Sequence, residues 1–106
     1  MILGLIINTS DPEKAWNAFR LGVASVLAGH KVRVFLLGAG VEVENIQEGV
    51  FNVRAEMERF LDLGGEIMAC GTCLKLRNQE GGICPISTMN DLVRLIETSD
   101  RVVVIG

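Results

Sequence analysis

The chain has 106 residues, 49% of them hydrophobic and 22% charged, with a formal net charge of -3 and three cysteines. That length fits one domain with a real core, and the apolar content argues against disorder. Net negative charge gives no general attraction to a phosphate backbone, so direct nucleic-acid binding is not expected, and no apolar run reaches the roughly 20 residues of a membrane span.

Residues 2–7 are almost continuously aliphatic, as in a strand covered on both faces of a parallel sheet. The start lacks a basic leader and a small-residue cleavage site, so it reads as a first strand and a cytoplasmic setting is expected. Asn8, Thr9, Ser10 and Asp11 end that strand, and one of the last three is expected to cap a helix with Pro12 in its first turn. Trp16, Phe19, Val23, Val26 and Leu27 then recur at helical spacing until Gly29 closes the helix. Residues 31–37 supply a second strand, ended by Gly38 and Gly40. After a loop to about residue 44, Asn45 and Glu48 have capping-box spacing. Ile46, Val50, Val53, Met57, Phe60 and Leu61 follow as an apolar stripe that stops at Gly64 and Gly65.

A third strand is expected over about residues 66–69, then Cys70 at a turn, then a short helix over about 72–78. The glycine-rich stretch 81–85 leaves a further short strand undecided. Thr88 and Asp91 again have capping spacing, Met89, Leu92, Val93 and Ile96 form a helical face, and residues 101–106 make a last strand. Alternating strands and helices imply right-handed crossovers and an α/β three-layer sandwich, flavodoxin-like, with a mainly parallel sheet of four to five strands in a single domain, 1–106.

Chemistry is expected at Cys70, Gly71, Thr72 and Cys73. A cysteine where a strand gives way to a helix stands at the carboxyl edge of an open sheet, where ligands bind. It also faces backbone N–H groups that favour a thiolate. Lys75 and Arg77 add positive charge. Cys73 lies close enough to Cys70 for a disulfide if local geometry permits, and Cys84 is a candidate resolving thiol. For each cysteine the competing reading is a buried hydrophobe.

Zinc is disfavoured because there is no second C-x-x-C and the only histidine, His30, precedes the second strand, roughly 20 Å from Cys70 at the opposite edge. The same separation disfavours a Cys-His hydrolase, and no metal or cofactor is expected. Asn8, Thr9, Ser10 and Gly38 belong on the Cys70 edge, where they are candidate anion-binding groups. Capping and turn formation are their simpler roles. Acidic Asp11 and Glu13, and the missing third glycine after Gly38 and Gly40, count against flavin and dinucleotide binding.

With its aliphatic start and polar turn at Asn8–Asp11, its long first helix, the run from Val32 to Gly38 and Cys70 after strand three, the chain resembles the DsrE/DsrF-like family over nearly its whole length. That family includes intracellular sulfur-relay proteins. The resemblance implies that Cys70 matches the cysteine that carries a persulfide, that the chain assembles as a trimer or hexamer with the cysteine near a subunit boundary, and that sulfur passes from a donor protein to an acceptor protein. Cys73 departs from the relay subunits and looks like the small-protein branch. The leading expectation is a sulfur carrier on Cys70. Its rivals are a non-catalytic oligomeric binding module and a dithiol redox protein using Cys70 and Cys73.

Overall fold

Aliphatic runs become the inner strands of one parallel sheet. In the computed structural model, which describes residues 1–47, 49–79, 82 and 84–106, the strands are β1 (Ile2–Ile7), β2 (Lys31–Leu36), β3 (Glu66–Cys70), β4 (Ile86–Ser87) and β5 (Arg101–Ile105). The helices are α1 (Pro12–Leu27), α2 (Val53–Asp62), α3 (Gly71–Leu76) and α4 (Met89–Glu97). The expected three-layer parallel sandwich is present. Strand order, which periodicity does not determine, is β4-β3-β2-β1-β5, so the direction of winding reverses between β1 and β5.

Gly4 faces Leu95 of α4 and Ser99 just beyond that helix, with no room for a Cβ. Alternation therefore points Leu3, Leu5 and Ile7 of β1 to the other layer, that of α1 and α2. There Phe19 and Phe60, both fully buried, meet with ring centroids 6.2 Å apart. Asp11 is the residue that caps α1, its carboxylate accepting from Lys14 N at 2.9 Å.

Four expectations need correction. The helix expected from Asn45 begins at Val53, because the Asn52 side chain caps Ala55 N at 3.1 Å and residues Gly38–Asn45 form a 3-10 segment instead. Val50 is consequently exposed; Glu48, the other half of the expected capping box, lies outside the described residues, as do Glu80, Gly81 and Ile83 of the loop before β4. Leu27 is exposed at the end of α1. On α4 the buried pair is Leu92 and Leu95, which leaves Met89, Val93 and Ile96 on the outside. The capping box between Thr88 and Asp91 forms as expected. The short helix begins at Gly71, one residue early, with Cys70 as both the last residue of β3 and the N-cap.

Candidate functional site

The carboxyl edge of β3 places Cys70 under the start of α3, and one turn of that helix brings Cys73 back over it. The two thiols are close enough that Cys70 raises the Cys73 pKa, so the C-x-x-C spacing does produce a thiol pair. Because β2 lies beside β3, Gly38, which opens the 3-10 segment after β2, reaches the pair, and its backbone N–H donates to Cys73 Sγ at 3.3 Å. Gly38 has φ +57, and a Cβ there would strike the Asn8 Oδ1, so glycine is required both for the turn and for the contact. Asn8 is thereby part of the same edge.

The two cysteines differ in exposure. Cys70 is 2% exposed and makes no side-chain capping bond to the helix N–H groups, whereas Cys73 is partly exposed and takes the one backbone N–H directed at sulfur among the described residues. Burial pushes the Cys73 thiol above its ordinary value and the neighbouring Cys70 adds to this, while the Gly38 N–H and the Arg77 guanidinium pull the other way. Cys73 is therefore a thiol at neutral pH.

Arg77 reaches the pair through the backbone: its Nη1 donates to the Cys73 carbonyl at 3.3 Å while its Nε lies 3.7 Å from Glu42 Oε2. Gln79 donates to Glu42 Oε1 at 3.5 Å and accepts from Asn45 Nδ2 at 2.7 Å. These contacts pin α3 to the 3-10 segment. Glu42, Asn45 and Gln79 carry no periodic signal, and only their convergence in space reveals them.

Lys75 and Thr72 are exposed on the side of α3 that faces β4 and the start of α4, with Gly71 beside them. Thr9 serves the α1 cap, its hydroxyl accepting from Asp11 N at 3.1 Å. Ser10 is half-buried in the same turn. His30 sits at the amino edge, its Nδ1 2.9 Å from the N-terminal amine. Among the described residues no cluster of three His, Cys, Asp or Glu side chains could hold a metal.

Cys84 is 4% exposed, and burial, reinforced by the Glu44 carboxylate, pushes its thiol up to about 12. It is packed in the core among hydrophobic side chains. In the unfolded chain the same group ionises near 9. Between those values the unfolded state has lost a proton that the folded state keeps, so stability falls as pH rises from 9 toward 12. Iodoacetamide labelling at pH 8.5 is expected to modify Cys84 at least about tenfold more slowly in the native than in the denatured protein, since only thiolate reacts. Equal rates would place that sulfur at the surface.

Comparison with known proteins agrees with this fold. A sequence model described as the DsrE/DsrF-like family matches residues 1–105. An uncharacterized protein of Methanocaldococcus jannaschii is 33% identical over 108 residues, covering 92% of this chain and 95% of its own. Another, from Methanopyrus kandleri, is 33% identical over 99 residues, covering 86% and 81%. Among solved structures, the ychN protein from E. coli superposes with a TM-score of 0.82 at 19% identity over 97% of both chains. A protein of unknown function from Methanobacterium thermoautotrophicum gives 0.73 at 15% identity, again over 97% of both. At such identities these two establish the shared fold.

Proposed function

The chain belongs to the DsrE/DsrF-like family, and from that premise we propose that it is a sulfur carrier whose Cys70–Cys73 pair holds sulfane sulfur, with Cys73 as the thiol that meets the donor. The observation that carries this reading is the adjacent thiol pair whose outer member is partly exposed and held by the Gly38 N–H. The Cys73 thiolate attacks the outer sulfur of a donor persulfide; a new S–S bond forms, the donor's S–S bond breaks, and the donor leaves as its thiolate. An acceptor thiolate on a partner protein collects the sulfur by the same exchange. Alternatively, the Cys70 thiolate attacks the inner sulfur, giving a Cys70–Cys73 disulfide and releasing hydrosulfide. A cytoplasmic setting suits this chemistry because its thiols are kept reduced. Among the described residues no helix is long and apolar enough to cross a membrane.

Intact mass spectrometry after incubation with a small persulfide tests the assignment. Wild type is expected to gain about 32 Da, one sulfur atom. Cys73→Ser is expected to lose the adduct and Cys70→Ser to keep it. An adduct that survives in Cys73→Ser and vanishes in Cys70→Ser would return the persulfide to Cys70, and no adduct on any form would end the carrier reading. Because the Cys73 thiol is raised, loading should be slow at neutral pH and accelerate as pH climbs through the alkaline range.

Assembly as a trimer or hexamer is part of the same reading. Val102 and Val104 pair with Gly4 and Ile6, so they lie on the α4 face of the sheet, where they remain 38% and 58% exposed. Val93 and Ile96 are exposed on α4 as well. A second copy covering these residues removes apolar surface from water. Light scattering is expected to report three or six chains, and Val104→Glu to report fewer; a wild-type monomer at micromolar concentration would sink the assembly.

A further inference from the structure

A cleft of about 560 Å³ lies between α3, β4 and the start of α4, lined by residues that neither the thiol pair nor the proposed subunit face uses. Its volume falls in the range of roughly 300–1,000 Å³ typical of small-molecule sites. Leu74, Ile86 and Met89 give it apolar walls, and the latter two are 62% and 52% exposed, a large apolar area left open to water. Ser87 also lines it and offers a hydroxyl to an occupant. Lys75 is the one charged lining residue among those described, and its ammonium is in no ion pair there.

We propose that this cleft is a binding site for a small amphipathic monoanion of the medium-chain carboxylate class. The hydrocarbon part lies against Leu74, Ile86 and Met89, the carboxylate meets the Lys75 ammonium, and the hydroxyl of Ser87 donates to a carboxylate oxygen. Charge complementarity selects an acid over an alcohol of the same length. The inference does not use Cys70 or Cys73, so it stands or falls apart from the sulfur-carrier reading.

The test displaces anilinonaphthalene sulfonate, itself an apolar anion, from the full chain with octanoate and with octanol, and repeats both titrations by calorimetry. Octanoate is expected to bind once per chain, at least about tenfold tighter than octanol, as one hydrogen-bonded charge contact provides. Lys75→Gln, at an exposed position, is expected to erase that preference. Ile86→Trp, which fills the cleft from its exposed wall, is expected to weaken both ligands, with circular dichroism confirming that each variant is folded. No saturable octanoate binding to the wild type, or octanoate binding that is unchanged in folded Lys75→Gln or in folded Ile86→Trp, would overturn the proposal.

Discussion

Replacing Phe60 with alanine is expected to destabilise the protein by about 3–5 kcal/mol. Its ring is fully buried against Phe19 from α1. It is also the reason for two glycines: a Cβ at Gly22 would come within 3.0 Å of the ring, and one at Gly65 would strike it outright. Glycine inside a helix costs roughly 1 kcal/mol relative to alanine, so α1 accepts a weakened backbone in order to admit the ring. Removing the ring leaves a hole bordered by two residues with no side chain to fill it. In a thermal melt Tm should fall by on the order of 20 °C. A loss below about 1.5 kcal/mol, the range of a volume-conserving swap, would mean that the neighbouring elements collapse freely and that the α1–α2 contact is not the close packing described.

Gly40→Ala is expected to be nearly as costly, about 3 kcal/mol, for a different reason. The added methyl group would collide with the carbonyl oxygen of Ile7, with the carbonyl carbon 2.9 Å away. That oxygen belongs to an inner strand and already accepts from Leu37 N at 3.0 Å, so it cannot swing aside as a flexible side chain would. Relief requires the 3-10 segment to lift from β1, which would carry Gly38 away from Cys73. Two readouts should therefore move together: a lower Tm and slower alkylation of Cys73 at fixed pH, because the Gly38 N–H that favours its thiolate is lost. A variant with wild-type stability and wild-type labelling would show that the segment does not press on β1.

The fold was largely legible because parallel strands buried on both faces need uninterrupted aliphatic runs, and residues 2–7 and 31–37 have them. The α2 boundary was misread because Ile46, Val50 and Val53 continue the helical spacing backwards; the structure shows the Asn52 cap prevailing over that pattern. On α4, spacing alone does not distinguish a face packed on the sheet from one turned outward, and Leu92 with Leu95 took the inner place. At the site, the Cys70–Cys73 contact followed from local spacing and the cap position of Cys70 from the strand-to-helix change. Its burial did not, because that depends on Ser87 of β4 pairing beside it. Nor did the Gly38 bond to Cys73, which exists only because β2 and β3 are neighbours in the sheet. Lys75 and Arg77 looked equivalent as cations two residues apart, yet one faces the cleft and the other is held by Glu42.

The brevity of β4 bears on when the inner thiol can be reached. Only Ala69 and Cys70 of β3 find partners on that strand, so the cover beside Cys70 rests on the smallest unit of the sheet. Such a unit opens locally at a far lower free-energy cost than the whole domain. Access to the inner sulfur is accordingly intermittent, timed by fraying of a two-residue ladder, while the outer sulfur stays available throughout.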